Sequence, residues 1–279
     1  MHKVRKPRSS IWQHLETLVL EPLRQINNQQ QAFLDADRAR LIDREVVVVF
    51  VATAFLLTLQ NYFVIRGNPS FLFTGLASLV AIDPTDWLQN ASDAAQNRRF
   101  VRLLSWSIGN LFIYVVIPIA LIRFVMRRRL RDFGISWSRA LANWWIYLLM
   151  YVVVAIAVVI VSKHESFLNT YPFYKPAPNE PLWPKFVIWE IGYALQFVSL
   201  EFFFRGFLLH GVKRRFGIYS IFIMTVPYCM IHFGKPMPET VGAIVAGIAL
   251  GFMSLKTNSI WFGALLHIAV AWTMDALAI

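Results

Sequence analysis

The sequence predicts an all-α fold: a polytopic transmembrane helix bundle of about seven spans behind an N-terminal cytoplasmic helical arm. Three observations carry that reading. Of the 279 residues, 57% are hydrophobic and mean hydropathy is +0.51, a balance that a soluble domain of this size does not hold. Apolar runs close to the length a bilayer requires recur along the chain. The basic residues, which give a net charge of +11, gather beside those runs instead of spreading over a surface, which marks them first as topology signals.

Residues 1–45 are polar and mixed in charge. From Ile11 to Leu41 the residues Trp12, Leu15, Leu18, Leu20, Leu23, Ile26, Phe33 and Leu34 recur at roughly helical spacing, so this arm is expected to lie on the membrane surface or against the bundle. Residues 46–279 form the membrane domain. Val46 to Ile65 is the first span. Phe71 to Ile82 is apolar but too short to cross, and is expected to be re-entrant or interfacial. Leu104 to Met126 is the second span, with a kink expected at Pro118, and Arg127–Arg131 closes it. Trp144 to Val161 is the third, opened by an interfacial tryptophan pair. The five-proline stretch Ser162–Lys185 is a connector. Phe186 to His210 is the fourth span, ended by Lys213, Arg214 and Arg215. Ile218 to His232, a short Val241–Leu255 and Ile260–Ala278 complete the set. The positive-inside rule places the N-terminus, Arg127–Arg131, Lys213–Arg215 and Lys256 on the cytoplasmic side, and Arg98, Arg99 and Arg102 opposite.

Composition also excludes some functions. The sole cysteine, Cys229, rules out intramolecular disulfides and argues against a cysteine metal site. No nucleic-acid module accompanies the basic clusters, whose expected partners are anionic lipid headgroups. No apolar segment near the N-terminus resembles a cleaved signal. No inverted repeat points to a solute carrier.

The chemistry concentrates in the last three spans and the one before them. Glu201 and Arg205 lie four residues apart inside an apolar run, on one helical face, where a lone charge costs several kcal/mol. Such a carboxylate suits a general base that activates water; it equally suits a structural ion pair. Tyr228 and His232 share a helical face four residues apart. His232 is either a water-positioning imidazole or a helix-end histidine bonded to a carbonyl. His267 sits near mid-span, with Ala271 and Asp275 after it. Glu190, His210 and Glu239 read as interfacial or loop residues. Glu201, His232 and His267 would also suit a zinc ion with an open position, although no H-E-x-x-H helix is present.

In their order these motifs resemble the CAAX prenyl protease and bacteriocin-processing family of intramembrane endopeptidases, with its EExxxR, FxxxH and HxxxN/D helices. The resemblance covers 186–279. It implies that a glutamate activates water against a peptide bond, that Arg205 is its charge partner, that His232 positions the water and that His267 stabilises the oxyanion. It further implies a membrane-anchored protein or peptide substrate and a bacterial inner-membrane location. Three positions depart from the family: Leu200 replaces the first glutamate, Tyr228 the phenylalanine, and Ala271 the final Asn or Asp. Either Glu201 serves as the base, or the chain is a non-catalytic relative that binds membrane proteins as a scaffold.

Overall fold

The computed structural model describes residues 10–36, 42–67, 94–137 and 141–279. Among them every regular element is helical, and six helices are long and apolar enough to cross a membrane. The chain is an integral membrane protein. The expected re-entrant segment at Phe71–Ile82 and the basic residues before Ser10 lie outside the described residues.

The arm, α1 (10–36), is helical throughout. The spans are α2 (Arg44–Ile65), α3 (94–125), α4 (Trp144–Val161), α6 (Lys185–Phe216), α8 (Met237–Thr257) and α9 (Trp261–Ala278), with α7 (Tyr219–Met230) shorter and α5 (Glu165–Thr170) in the loop between α4 and α6. Local chemistry sets several ends. The Asp43 carboxylate caps α2 by accepting from the backbone N–H of Glu45 and Val46, which offsets otherwise orphaned donors. Gly217, at φ +52°, ends α6 in a conformation few other residues adopt. Asn258 ends α8 in the left-handed region.

Three spans are longer than expected: α6 runs on through the Lys213–Arg215 cluster to Phe216, and α3 and α8 begin early. α3 begins at Ala94, so Arg98, Arg99 and Arg102 ride on its first turns, where Arg99 donates to the Phe173 carbonyl at 2.8 Å. α8 begins at Met237, so Glu239 is a first-turn helical residue and not a loop residue. Its two preceding prolines read as helix breakers, yet Pro238 sits in the first turn, where its missing N–H costs nothing. Pro118 is held between two π-helical turns, Phe112–Val116 and Leu121–Val125.

α6 is the central element and packs against α2, α3, α7, α8 and α9. Its middle, from Phe202 to His210, is fully buried and π-helical. Phe203, Phe204 and Phe207 anchor the main core with Tyr114 and Tyr228, through ring contacts of 4.6 Å between Tyr114 and Phe203 and 5.3 Å between Phe204 and Tyr228.

The basic clusters meet at one end of the bundle. Arg128 pairs with Glu45 at 3.3 Å, Lys213 donates to Asn258 at 3.0 Å, and Asn258 donates to the Arg131 carbonyl at 3.1 Å. The arm docks on the same end: Lys256 donates to the Leu18 carbonyl at 3.1 Å, Gln30 to the Arg215 carbonyl at 2.9 Å. The opposite end is aromatic. There the loop between α4 and α6 buries Tyr171 and Tyr174, and Tyr171 donates to the Glu239 carboxylate at 3.0 Å. Burial, then the adjacent Glu239 charge, pushes the Tyr171 phenol above its usual range.

Candidate active site

The site is built where α6, α7 and α9 meet. Glu201 closes the regular part of α6 just before the π-helical stretch. Its Oε1 lies 2.9 Å from Arg205 Nη1 and 2.9 Å from His267 Nδ1. The carboxylate is 1% exposed, the guanidinium 0% and the imidazole 15%. Three residues that sequence spacing singled out therefore converge on one oxygen atom. Leu200 instead joins the hydrophobic core beside Phe203 and Phe204, so Glu201 is the acid that faces the imidazole.

Neither 2.9 Å contact is aligned as a hydrogen bond. Oε1 of Glu201, Nδ1 of His267 and all three guanidinium nitrogens keep unused bonding capacity. Burying a guanidinium costs several kcal/mol. The ion pair offsets part of that cost, and the Tyr228 ring offsets more: Arg205 Cζ stands 3.9 Å from its centroid, a contact worth about 2 kcal/mol when desolvated.

Tyr228 is the residue that sequence reasoning undervalued. It was singled out only as the partner of His232, yet its hydroxyl lies 3.0 Å from His267 Nε2 while its ring supports Arg205. It is fully buried. The helical spacing that paired it with His232 gave no hint of the reach from α7 to α9. Two further residues shape the site. Phe197, one turn before Glu201, stacks on the His267 ring at 5.6 Å and 13°. Gly263 lets α9 approach closely: a Cβ there would stand 2.7 Å from Glu201 Oε2. A glycine one helical turn before a mid-span histidine was the available signal for it.

His232 is not part of this convergence. Its Nδ1 bonds the Tyr228 carbonyl at 2.9 Å, and its ring packs edge-on against Tyr228 at 4.9 Å. Tyr228 thus stands between His232 and the charged cluster. The zinc arrangement of Glu201, His232 and His267 does not fit this geometry. Glu201 Oε1 is shared by two cationic or donor groups, His232 Nδ1 is committed to backbone, and no set of three metal-ligating residues gathers among the described residues.

Three other polar residues make contacts within the bundle. His210 is buried, 3.0 Å from Ser254 Oγ and 2.6 Å from Lys213 Nζ. Asp275, 1% exposed, faces Glu190 across α6 and α9, carboxyl to carboxyl. Glu190 buries both of its oxygens there.

The convergent residues all fall within one matched segment. Residues 181–273 match the Rce1-like family model, described as type II CAAX prenyl endopeptidase Rce1-like. This part of the chain is similar to that family. The match bears out the resemblance read from the motifs over most of 186–279. No curated protein and no solved structure matches the chain. The match supports a protease-like function in general.

Proposed function

We propose that the chain is an intramembrane endopeptidase that hydrolyses a peptide bond in a membrane-associated protein, with Glu201 as general base. The observation that carries this is the shared oxygen: one buried carboxylate held by a guanidinium and an imidazole inside the Rce1-like segment. In this reading a water reaches Glu201 past the partly exposed His267 edge. The carboxylate takes a proton from the water as its oxygen adds to the scissile carbonyl carbon. The imidazole of His267 donates to the oxyanion that forms. The proton on Glu201 then passes to the leaving amine nitrogen as the C–N bond breaks. Arg205 supplies the compensating charge throughout. His232, with Nδ1 bonded to backbone, offers Nε2 to position water at the rim. The substrate class implied by the family description is a prenyl-bearing or otherwise membrane-anchored C-terminal segment, and the expected location is a bacterial inner membrane with α1 in the cytoplasm.

The second reading, a non-catalytic relative that binds membrane proteins, draws on one observation: Leu200, buried in the core, stands where the family has its first glutamate. Both are tested together with purified full-length protein, a membrane-peptide library, and parallel reactions with and without chelator. Glu201→Gln is expected to lower turnover by about 10²–10⁴-fold, the usual contribution of a general base. Undiminished turnover in Glu201→Gln would remove it from the base role. Proteolysis created by Leu200→Glu in an inert wild type would favour the non-catalytic reading.

A further inference from the structure

At the basic end of the bundle, away from the charged cluster, a cavity of about 380 Å³ opens between the start of α2, the end of α3 and the end of α6. Arg44, Arg214 and Arg215 line it together with Asp43 and Glu45. Both carboxylates are already committed. Asp43 accepts the backbone N–H groups of Glu45 and Val46 at 2.9 and 3.3 Å. Glu45 takes Arg128 at 3.3 Å. Arg214 lies over the Phe33 ring at 4.7 Å, a contact that fixes its position without neutralising it. No described acid pairs with Arg44 or Arg215. The remaining wall is apolar, from Phe33, Val46, Val125 and Met126.

Its depth is informative. Arg44 begins one membrane span, Val125 ends a second, and Arg214 and Arg215 lie in the last turns of a third. The guanidiniums therefore sit where a bilayer carries its phosphates, and Val46 and Val125 continue the wall toward the hydrocarbon. The N-terminus of α2 adds a partial positive charge to the same space. A free anion would use the arginines and leave the apolar wall in water. A molecule with a phosphate head and an apolar body uses both.

We propose that this cavity binds an anionic phospholipid, the headgroup phosphate held by Arg44, Arg214 and Arg215 and the glycerol and upper acyl carbons against Val46, Val125 and Met126. Because Phe33 of α1 and Arg214 of α6 share the wall, the lipid also joins the arm to the central helix. The proposal is independent of any hydrolytic activity.

The test uses full-length protein in neutral detergent. Melting temperature and retained lipid, by native mass spectrometry, are measured with added phosphatidylglycerol, phosphatidylcholine or inorganic phosphate. Phosphatidylglycerol is expected to raise the melting temperature and remain bound, while the other two do neither. Each guanidinium removed is expected to weaken retention about fivefold, the effect of one basic residue at an anionic surface, so Arg44→Gln with Arg215→Gln loses roughly 25-fold. Arg129→Gln, at the same end but outside the cavity, is expected to retain lipid like wild type and so separates this site from general charge attraction. Arg44→Lys guards against a folding defect, since it keeps the charge and most of the retention. Equal stabilisation by phosphatidylcholine, full retention in the double variant, or loss of retention in Arg129→Gln would overturn the proposal. Stabilisation by inorganic phosphate alone would overturn it in favour of a free-anion site.

Discussion

α6 and α9 run antiparallel and meet at two levels with opposite electrostatics. Near mid-span, the Glu201 carboxylate meets a guanidinium and an imidazole. About three turns toward the aromatic end, Glu190 meets Asp275, carboxyl against carboxyl. There the Trp189 indole and the Phe173 amide lie beside Asp275, but none of the four carboxyl oxygens has an aligned hydrogen bond. The same pair of helices thus carries one compensated acid and one uncompensated pair. A buried charge with a partner is tolerated, whereas two carboxyls face to face cannot both carry charge. The aromatic stack of Trp106, Phe173, Trp189 and Tyr193 surrounds that second level, with Trp189 and Tyr193 rings 5.0 Å apart.

The sharpest way to break the contrast is to turn the compensated level into an uncompensated one. Arg205→Ala leaves Glu201 buried without its cation and leaves a hole under Tyr228. A loss of about 3–5 kcal/mol is expected, the cost of breaking a buried pair. The measurement is yield and melting of detergent-purified protein, and adding Glu201→Gln to the variant should recover part of the loss. Wild-type melting in Arg205→Ala would show that the two levels do not differ.

A smaller push comes from the other side of the same oxygen cluster. Gly263→Ala places a methyl 2.7 Å from Glu201 Oε2. The carboxylate must move, at roughly 1–3 kcal/mol of overpacking, partly offset by the better helix propensity of alanine. Turnover should fall more than stability does, because the displaced oxygen belongs to the proposed base. Unchanged kinetics in a folded Gly263→Ala protein would count against the tight approach of α9.

The uncompensated level can be relieved instead. Asp275→Asn replaces one of two facing carboxyls with an amide that can donate to Glu190. Stability should stay level or rise by about 1 kcal/mol, the worth of one hydrogen bond. A large loss would mean that Asp275 holds a partner as tightly as Glu201 does.

The smallest effect lies in the loop between α4 and α6, where a single acid is fully provided for. Burial pushes the Glu180 carboxyl up, but the Ala177 N–H, Lys185 and the Tyr174 hydroxyl outweigh it and hold it below 4.5. Lys185 Nζ lies 3.1 Å away. Its folded value is depressed, so its contribution is complete above the ordinary carboxylate range and is lost as pH falls through the depressed value. Amide exchange at Ala177 should therefore quicken only below pH 4.5 in wild type, and show no such step in Glu180→Gln. A step that persists in the variant would assign it to another group.

Much of this architecture was legible before any coordinates. Periodicity and basic flanks place the first, third and last spans within two residues of their observed limits. The Glu201–Arg205 pairing follows from a four-residue offset in hydrocarbon. What escaped is what depends on the register between helices. That Glu190 faces Asp275, and Glu201 faces His267, requires knowing how far α6 slides past α9, which no single helix encodes. Tyr228 was hidden for the same reason, since its three roles are toward α6, α9 and its own helix end. The four-residue link between Tyr228 and His232 serves the backbone, with Nδ1 of His232 bonded to the Tyr228 carbonyl, and not the charged cluster.

The docking of α1 also bears on how the molecule is assembled. Synthesis delivers the arm first, yet the groups that seat it are made much later. Gln30 waits for Arg215, and Leu18 for Lys256, a separation of 238 residues. Until those spans are inserted, the arm has nowhere to settle and is open to chaperones or proteases. Its seating therefore reports completion: a nascent chain halted before α6 has ended carries a loose arm, and a finished one carries it clamped.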